Sequence, residues 1–553
     1  MDRIWLNHYP DGVPADIDPQ AWPSLVALID DALARHAART AYVSQGRRMS
    51  YAELDRLADA FAAWLQRRGV VKGTRVALMM PNLLQYPVCL IGALRAGAVV
   101  VNCNPLYTPR ELEHQLRDSG AEVIVIVENF AHTLEQVLPR TALKTVVVTS
   151  IGEMLGTLKG VLVDFVVRRV KKMVPPWSLP GALRLSQALS QTRGQRPVPV
   201  ALGPADLAFL QYTGGTTGVS KGAMLTHRNI SANVLQASAW LRPAVREGEE
   251  LVVTALPLYH VFALTANCLA FLVFGAANLL ILNPRDIPGF VRELGRHRFS
   301  AITGVNTLFN ALLNHPDFAK LDFSALRIAL GGGMAVQQAV AERWQKVTGV
   351  AIAQAYGLTE TSPAVTINPL DTRRFTGSIG LPVPSTELSV RDDEGRELAP
   401  GEIGEICVRG PQVTPGYWQQ PAETAKIFFP DGFLRTGDVG YVAPDGHVFL
   451  VDRKKDMILV SGFNVYPNEV EDVIAKHPGV LEAAVVGVPD PRSGERVKLV
   501  VVRRDPALTA EALLAFARAE LTGYKVPQIV EFRDVLPKTN VGKVLRRELR
   551  EPA

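Results

Sequence analysis

Residues 75–103 read RVALMMPNLLQYPVCLIGALRAGAVVVNC, and this stretch indicates the fold class. RVALMM (75–80) and AVVVNC (98–103) have the apolar character of buried strands, whereas LLQYPVCLIGALRAG (83–97) between them has the length and apolar spacing of a helix. A strand followed by a helix and a second strand is typical of parallel strands layered with helices. We therefore predict an α/β protein.

The same alternation continues on the C-terminal side of this stretch. Thr108, Pro109, Arg110 and Glu111 form a capping-box pattern with proline at the first helical position, so a helix should follow. Four further runs have strand character: EVIVIV (122–127), ELVVTALPL (250–258), FSAITGV (299–305) and RIALGGG (327–333). The α/β layers are expected to extend through the middle of the chain.

The pattern of the sequence changes near Ser378, from alternating strands and helices to short strand-like runs. The short runs ELSVRD, GEICVRG and HVFLVD are separated by Asp-Gly and Pro-Gly turns, which predicts a β-rich subdomain over 378–451. After Asp452, two helical patterns (467–480 and 509–521) flank the paired strand patterns EAAVVGV and VKLVVVRR. We therefore predict an N-terminal domain over 1–451 and a small α+β domain over 452–553. The basic run DRKKD, beginning at Asp452, is the candidate hinge.

Composition restricts the class of protein. A chain of 553 residues is too long for one core, and a net charge of +5 gives no case for nucleic-acid binding. The four cysteines, Cys89, Cys103, Cys268 and Cys407, are too widely spaced for a zinc site or a disulfide framework, which favours a reducing compartment. The N-terminus lacks signal-peptide features, and the longest apolar stretch (268–282) is too short to span a bilayer, so it is expected in the core.

A glycine-rich stretch, YTGGTTGVSKG (212–222), has little apolar surface to bury and suits a loop that surrounds an anion. It does not match the P-loop pattern, because Ser220 precedes Lys221 and Gly222 follows it. The alternative is a flexible linker. Its position between the strand-like ADLAFLQ (205–211) and a helical pattern beginning at Asn229 favours a functional loop.

Seven motifs occur in order along the chain and together resemble the adenylate-forming superfamily, which includes acyl-CoA synthetases, luciferases and peptide-synthetase adenylation domains. They are YTGGTTGVSKG (212–222), LPLYH (256–260), GGGM (331–334), YGLTET (356–361), RTGD (435–438), DRKKDMILVSGFNVYPNEVE (452–471) and PKTNVGKVLRREL (537–549). The wording of 451–471, with GVNTLFNALLN and NPRDIPG, is most similar to bacterial long-chain fatty acid CoA ligases.

The resemblance implies a fold and a reaction. The fold would be a large N-terminal domain of mixed sheets and helices with a β-barrel-like part, followed by a mobile C-terminal domain. In the reaction, a long-chain fatty acid carboxylate would attack the α-phosphorus of ATP, pyrophosphate would leave, and coenzyme A would then displace AMP from the acyl-adenylate. Splitting one difficult substitution into two easier ones is the logic of covalent intermediates.

The resemblance also implies roles for individual residues in binding ATP. The pyrophosphate would be held by Thr213, Gly214, Gly215, Thr216, Thr217, Gly218 and Lys221. Mg²⁺ would be bound by Glu360, with Thr213 as a second contact. The adenine slot would be formed by Gly332, Gly333, Ala355, Tyr356 and Gly357, with Tyr356 supplying a stacking face, and Thr359 would be a further nucleotide-binding residue. Asp438 would accept both ribose hydroxyls, and Arg453 would approach the ribose or phosphate.

Three further elements would serve the acyl and thiol substrates. Lys543 would bridge the fatty acid carboxylate and the α-phosphate, offsetting their repulsion. His260 would donate to the carboxylate, and the following VFALTANC would line the acyl tunnel, with Leu264 at the position where some relatives have a tryptophan gate. Ser461, Gly462 and Phe463 would contact coenzyme A after rotation about Asp452.

Rival interpretations remain open at this point. Within the family they are a CoA ligase or acyl-AMP ligase for another carboxylic acid, and outside it a non-catalytic acyl- or nucleotide-binding protein. We expect a cytoplasmic protein, and leave a homodimer open.

The stretch 153–177 has two interpretations. Its apolar residues recur at helical spacing, and its basic residues are followed by Pro175, Pro176 and Trp177. It is either a core helix with a solvated basic end or an interfacial helix on the inner face of the cytoplasmic membrane. The apolar residues are Met154, Leu155, Leu158, Val161, Leu162, Phe165, Val166, Val170 and Met173, and the basic ones are Lys159, Arg168, Arg169, Lys171 and Lys172.

Overall fold

The structure, a computed structural model, describes residues 3–213, 220–539 and 541–550. Its strands are β1 Thr40–Ser44, β2 Arg47–Ser50, β3 Arg75–Met79, β4 Val99–Asn102, β5 Val123–Val127, β6 Thr145–Thr149, β7 Leu183–Arg184, β8 Leu207–Thr213, β9 Lys221–Thr226, β10 Leu251–Thr254, β11 Ala277–Leu280, β12 Ala301–Gly304, β13 Ile328–Gly332, β14 Ile352–Gly357, β15 Ala364–Ile367, β16 Leu381–Pro382, β17 Glu387–Arg391, β18 Gly404–Arg409, β19 Leu434–Val442, β20 Val448–Arg453, β21 Ile458–Val460, β22 Phe463–Val465, β23 Val480–Asp490, β24 Gly494–Arg503 and β25 Ile529–Phe532.

The α-helices are α1 Leu25–Arg35, α2 Tyr51–Arg67, α3 Gln85–Arg95, α4 Pro109–Ser119, α5 Ala131–Val137, α6 Thr157–Phe165, α7 Leu185–Gln191, α8 His227–Leu241, α9 Val261–Ala263, α10 Phe271–Val273, α11 Ile287–Leu294, α12 Asn306–Leu313, α13 Gln338–Thr348, α14 Pro421–Lys426, α15 Pro467–Ala475, α16 Ala510–Glu520 and α17 Arg547–Arg550. Val166–Val170 and Leu264–Ala270 are π-helical. Short 3₁₀ turns cover Ile4–His8, Glu128–Phe130, Leu138–Arg140, Phe318–Lys320, Thr359–Thr361 and Gly523–Lys525.

Two large sheets form the N-terminal region. One has the order β16-β15-β14-β13-β12-β10-β11-β1-β2, and the other β7-β6-β5-β3-β4-β8-β9. Strands inside each sheet are parallel, and antiparallel pairs occur towards the ends, including β8 with β9 and β14 with β15. Both sheets are joined by helices, as the alternation in the sequence predicts.

The predicted elements around 75–119 are confirmed. RVALMM is β3, the helical stretch is α3, and AVVVNC is β4, which pairs in parallel with β3. Helix α4 begins at Pro109 with the predicted capping box: the Thr108 side chain accepts from the Glu111 amide, and the Glu111 side chain accepts from the Thr108 amide. The segment 268–282 lies in the core, with Cys268, Leu269 and Leu279 fully buried.

The β-rich subdomain is an open sheet. Strands β17-β18-β19-β20 pair antiparallel in sequence order, and among the described residues the first and last strands do not pair to close a barrel. The β-barrel-like expectation is therefore corrected, because four strands are too few to close around a packed interior. Asp452, the predicted hinge, lies near the end of β20 and is fully buried.

The C-terminal region has its own core. Strands β22-β21-β24-β23 pair antiparallel, β25 adds in parallel to β24, and the predicted helical patterns are α15 and α16. This region contacts the N-terminal sheets and helices directly. Asn310 donates to the Leu481 carbonyl at 3.0 Å, and Thr307 donates to the Gly542 carbonyl at 3.2 Å. The boundaries 1–451 and 452–553 stay predictions.

The 153–177 stretch does not form a core helix. Of the residues of α6, only Gly160 is buried, whereas Leu158 is 89% exposed and Val161 is 72% exposed. The side chains of Leu162, Phe165, Val170 and Met173 are also exposed. Within the described parts of the chain, no helix is both long and apolar enough to cross a membrane.

Candidate active site

The two ends of the glycine-rich stretch belong to β8 and β9, which pair antiparallel. Thr213 and Lys221 are register partners at the end of this pairing, and the Ser220 hydroxyl donates to the Thr213 carbonyl at 2.7 Å. The sequence predicted a loop over all of 212–222, but its first two and last two residues belong to the paired strands, because the antiparallel ladder continues to Thr213. The predicted pyrophosphate contacts Gly214, Gly215, Thr216, Thr217 and Gly218 lie outside the described residues.

The Lys221 side chain faces Tyr417 and Glu423, which lie in the segment after β18. Its ammonium pairs with the Glu423 carboxylate and lies 5.3 Å from the centre of the Tyr417 ring. The Tyr417 hydroxyl donates to Glu360 Oε1 at 2.6 Å. Thr414 donates its amide to the Glu360 carbonyl at 2.8 Å. Lys221 and the candidate Mg²⁺ carboxylate are thus connected through one tyrosine.

The predicted adenine slot lies where β13 and β14 run side by side. Gly332 and Ala355 are register partners, and a β-carbon at Gly332 would lie 2.8 Å from the Ala355 carbonyl oxygen. Tyr356 and Gly357 continue β14, and Thr359 begins the following 3₁₀ turn. The close backbone packing leaves room for glycine but not for a larger residue.

The Tyr356 side chain forms a hydrogen bond with Asp438. Its hydroxyl donates to Asp438 Oδ2 at 2.7 Å, and its ring is largely buried. Sequence reasoning gave Tyr356 only a stacking role and did not foresee that it contacts the predicted ribose ligand. Arg453 is the register partner of Asp438, and its Nε lies 3.3 Å from Asp438 Oδ1. The Asp438 carboxylate is therefore fixed from two sides.

Lys543 reaches this region from the C-terminal domain. Its Cε would lie 3.6 Å from a β-carbon at Gly333. Burial, and then the Arg453 guanidinium, lower the pKa of Lys543 to about 8, while Asp438 and Glu360 act in the opposite direction. The ammonium is thus influenced by two cations, Arg453 and Lys455, and by two carboxylates of the predicted nucleotide site.

His260 lies in the same electrostatic environment. Burial, and secondarily the Lys543 charge, lower the pKa of His260 to about 3, so the ring is neutral at pH 7. Its Nδ1 accepts the Phe262 amide at 3.4 Å, which leaves the ring proton on Nε2. A neutral histidine of this tautomer can donate to a carboxylate. Leu264, at the predicted gate position, is fully buried.

The predicted coenzyme A segment lies on the surface of the C-terminal domain. Ser461 and Gly462 are exposed and have positive φ angles of 51° and 85°. Phe463 is 56% exposed and stacks on Tyr524, with ring centres 4.8 Å apart. Ser461 contacts Ser493 through its amide, and Phe463 pairs with Val460 and stacks on Tyr524; these contacts all lie within the small domain. The structure therefore brings Lys543 to the N-terminal site but leaves Ser461–Phe463 facing outward.

The candidate metal ligands suit magnesium. Within the described ranges no group of three or more His, Cys, Asp or Glu side chains is placed to hold a metal. Mg²⁺ binds through one or two carboxylates together with substrate phosphates and water, so a single carboxylate at Glu360 fits this ion. Thr213 offers a hydroxyl at the end of β8.

Tyr417 and Glu423 are the site residues that sequence reasoning missed. They lie in GYWQQPAET (416–424), and nothing in the composition or periodicity of that stretch distinguishes it from an ordinary turn followed by a short helix. Proline at the start of α14 predicts the helix but not its contacts.

Comparison with protein families matches residues 29–418 to the AMP-binding enzyme family and residues 469–543 to the AMP-binding enzyme C-terminal domain. The chain belongs to the AMP-binding enzyme family. A relative named long-chain-fatty-acid–CoA ligase, from Escherichia coli O157:H7, is 59% identical over 554 residues, covering 100% of this chain and 99% of the relative. The family match covers the two regions that contribute Glu360 and Lys543.

Solved structures of the family share the fold. An anthranilate CoA ligase, AuaEII, in complex with anthranoyl-AMP matches with a TM-score of 0.85 and 26% identity, covering 97% of this chain and 98% of that chain. ATP-bound MatB from Rhodopseudomonas palustris matches with a TM-score of 0.80 and 30% identity, covering 94% and 98%. The predicted α/β fold with a large N-terminal and a small C-terminal domain is confirmed.

Proposed function

We propose that this AMP-binding enzyme ligates a long-chain fatty acid to coenzyme A through an acyl-adenylate, releasing AMP and pyrophosphate. The observation that carries the proposal is that Lys543, from the C-terminal domain, lies beside Gly333 of the predicted adenine slot, where its charge is influenced by Asp438 and Glu360 and in turn influences His260. The full-length similarity to a long-chain-fatty-acid–CoA ligase supports the acid and the thiol.

In the first step, a carboxylate oxygen of the fatty acid bonds to the α-phosphorus of ATP and the bond to the β-phosphate oxygen breaks. The Lys543 ammonium lies between the two anions and offsets their repulsion as charge accumulates on the α-phosphate. His260, neutral with its proton on Nε2, orients the carboxylate without removing its charge. Lys221 and the hydroxyl of Thr213 bind the departing pyrophosphate, and Asp438 and Arg453 hold the ribose.

A Mg²⁺ ion at Glu360 would neutralise phosphate charge during this step. The neighbouring residues of the chain shape its environment. Tyr417 keeps one carboxylate oxygen hydrogen-bonded, and the Thr414 amide fixes the backbone of the turn.

In the second step, the thiol sulfur of coenzyme A bonds to the acyl carbon, the bond to AMP breaks, and the thiol proton is released. Lys543 and Ser461–Phe463 belong to different faces of the C-terminal domain, and only the Lys543 face is docked. Rotation about Asp452 would exchange these faces, so that each half-reaction has its own arrangement.

The test separates the half-reactions. Lys543→Ala should reduce pyrophosphate release by about a hundredfold or more, the effect of removing one preorganised charge contact. Formation of the thioester from supplied acyl-adenylate should be largely retained. Equal losses in both half-reactions would contradict the role given to Lys543, and absence of pyrophosphate release by the unaltered enzyme would favour a non-catalytic binding protein.

Another carboxylic acid is the alternative substrate within the family, as is transfer to a carrier protein. A panel of saturated fatty acids and aryl acids, assayed for pyrophosphate release and for thioester with free coenzyme A, distinguishes these cases. Long-chain acids should give the highest kcat/KM, and a preference for aryl acids would contradict the assigned substrate.

We further propose a cytoplasmic enzyme with a peripheral contact on the inner face of the cytoplasmic membrane. The contact would be made by the outer face of α6 and the π-helical turn after it. Leu158, Val161, Leu162 and Phe165 recur at intervals of three and four residues, all exposed, so this helix presents its apolar stripe to the outside. Fatty acids partition into bilayers, so a surface contact would bring the enzyme to its substrate.

The inner face of the same helix is fixed to the protein. Asp164 accepts the Gly152 amide at 2.8 Å and the Ser150 hydroxyl at 2.6 Å. A β-carbon at Gly160 would lie 2.4 Å from the Gly152 carbonyl oxygen, so only glycine permits this approach. Arg168 forms a bidentate pair with the buried carboxylate of Glu128, with both distances 2.7 Å. The apolar stripe cannot turn inward without breaking these contacts.

Arg169, Lys171 and Lys172 are exposed at the C-terminal end of this segment, and each basic residue near an anionic surface contributes about 1 kcal/mol. Changing these three to glutamine should weaken sedimentation with phosphatidylglycerol-containing vesicles by about a hundredfold. Arg168 is left intact in this variant because it pairs with Glu128.

Leu158→Ser with Phe165→Ser tests the apolar part, with loss of about 2 kcal/mol for each large apolar side chain that enters the lipid. Val71→Ser with Val535→Ser is the matched control, since both valines are 67% exposed elsewhere on the surface. Equal vesicle binding by the two double variants would contradict the membrane contact. If the Leu158/Phe165 variant instead abolishes self-association of the enzyme in solution, the face belongs to a homodimer.

A further inference from the structure

Tyr417 lies between two residues to which the proposed reaction gives different tasks. Its hydroxyl donates to Glu360 Oε1 at 2.6 Å, and the face of its ring lies 5.3 Å from the Lys221 ammonium. Glu360 is the carboxylate proposed for Mg²⁺, and Lys221 is the cation proposed for pyrophosphate. One largely buried side chain therefore touches both groups.

The backbone of Tyr417 is fixed against the strand that carries Lys221. Tyr417 forms an antiparallel bridge with Ala223, and the amide of the next residue, Trp418, donates to the Gly222 carbonyl at 2.8 Å. The Tyr417 amide itself donates to the Thr424 hydroxyl at 2.9 Å. The position of Tyr417 relative to β9 is thus set by main-chain contacts to that strand and by the Thr424 hydroxyl.

The Lys221 ammonium is confined from two directions. The Tyr417 ring lies on one side, and the Glu423 carboxylate, which also pairs with Lys426, lies on the other. A cation over an aromatic face is attracted by the ring quadrupole, and an ion pair at the end of the side chain restricts its rotamers. Lys221 is therefore held near Tyr417 and does not extend freely into solvent.

The Tyr417 hydroxyl has one proton, and its hydrogen bond to Glu360 Oε1 uses that proton. A phenol donating to one carboxylate oxygen leaves the other oxygen of Glu360 available to a cation.

We propose that Tyr417 is a positioning residue that orients Glu360 for the metal through its hydroxyl and Lys221 for the pyrophosphate through its ring. This inference rests on the proposed roles of Glu360 and Lys221. It assigns to Tyr417 two separable contributions, one that depends on Mg²⁺ and one that does not.

Two substitutions separate the contributions. Tyr417→Phe removes the hydroxyl but keeps the ring under Lys221, whereas Tyr417→Leu removes both. Tyr441→Phe is the matched control, because Tyr441 stacks on Phe449 in the four-stranded sheet, with ring centres 5.0 Å apart. Thermal unfolding of each variant shows whether the fold is retained.

The principal measurement is calorimetric binding of an ATP analogue with a β,γ-imido bridge, with and without Mg²⁺, which does not depend on turnover. Tyr417→Phe should bind the metal-free analogue like the unaltered protein but lose about tenfold in the affinity gained on adding Mg²⁺, the size of one hydrogen bond to a charged group. Tyr417→Leu should in addition bind the metal-free analogue about two- to fivefold more weakly, from the lost cation–π contact. Tyr441→Phe should change neither.

Equal binding of the Mg²⁺ complex by Tyr417→Phe and the unaltered protein would overturn the inference. So would a loss of the same size with and without Mg²⁺, which is what a purely structural effect produces. Glu360→Gln and Lys221→Ala show whether a negative result concerns Tyr417 alone or also the roles proposed for Glu360 and Lys221. If they weaken Mg²⁺-dependent and metal-free binding, respectively, while Tyr417→Phe changes nothing, this inference alone fails and the proposed function stands. If they too have no effect, the proposed roles fail and the inference fails with them.

Discussion

The charge of Lys543 should control the pH dependence of the adenylation half-reaction. Burial, followed by the Arg453 charge, lowers the pKa of this ammonium to about 8. Because the shift is downward, the cation is present at lower pH and is lost as the pH rises through about 8. An amine of this pKa is about nine-tenths protonated at pH 7 and about one-tenth protonated at pH 9. If only the protonated form offsets the repulsion of carboxylate and α-phosphate, pyrophosphate release should fall about tenfold between these values.

The assay is kcat/KM for pyrophosphate release from pH 6.5 to 9.5, measured with ATP and fatty acid well below saturation so that the profile reports the pKa of the free enzyme, and with the fatty acid ionised throughout. The comparison variant is Lys543→Arg, because a guanidinium keeps its charge over this whole range. Its absolute rate will be lower, since arginine does not reproduce the geometry of lysine, but its profile should lack the fall above pH 8. Thioester formation from supplied acyl-adenylate serves as the control reaction and should not fall, because higher pH produces more of the reactive thiolate.

Arg453 provides a second check on the cause. It is the largest electrostatic contribution that lowers the pKa of Lys543 after burial, so Arg453→Gln should move the fall in pyrophosphate release to higher pH. A wild-type profile that stays level to pH 9.5 would refute the titration of Lys543. A fall of equal size and midpoint in Lys543→Arg would assign the titration to another group.

Further predictions concern the hinge and the anchored helix. Asp452→Pro should abolish one half-reaction and spare the other, because proline fixes φ and lacks the amide donor. Asp452→Asn, which keeps the backbone freedom, should retain both half-reactions. Unaltered rates in the proline variant would contradict the hinge. Arg168→Gln should lower the melting temperature by several degrees, since it leaves the buried Glu128 carboxylate with Arg184 as its remaining ion pair, whereas Lys172→Gln should leave it unchanged. Differential scanning calorimetry measures the melting temperatures of both variants, and equal values for Arg168→Gln and Lys172→Gln would contradict the anchoring role of Arg168.

Local features of the fold were predictable because they depend on residues that are close together in the sequence. The capping box at Thr108 and Glu111, the helix from Pro109 and the strand–helix–strand alternation of 75–103 each depend on contacts within a few positions. Strand order was not predictable, since β1 pairs with β11 across more than two hundred residues and the four-stranded sheet stays open. The extension of strand pairing into the glycine-rich stretch also depends on a partner strand and not on composition.

Site residues were predictable where a motif carries them and not where a contact creates them. Glu360, Asp438 and Lys543 were found through the resemblance, and the structure places all three in one electrostatic environment. Tyr417 contacts Glu360 across 57 positions of sequence, and Tyr356 contacts Asp438 across 82. No spacing rule reaches that far, so the orientation of both carboxylates became visible only in the folded chain.

The 153–177 segment shows where a periodic pattern reaches its limit. A stripe of apolar residues at helical spacing has the same period whether it faces a core or a lipid surface, so the hydrophobic residues alone could not choose between the two interpretations. The choice is made by residues of the opposite face. Gly160 permits contact with the backbone at Gly152, Asp164 accepts two hydrogen bonds from the same loop, and Arg168 pairs with Glu128. These small and charged residues dock one side of the helix, and the apolar stripe is left on the outside because the docked side is already occupied.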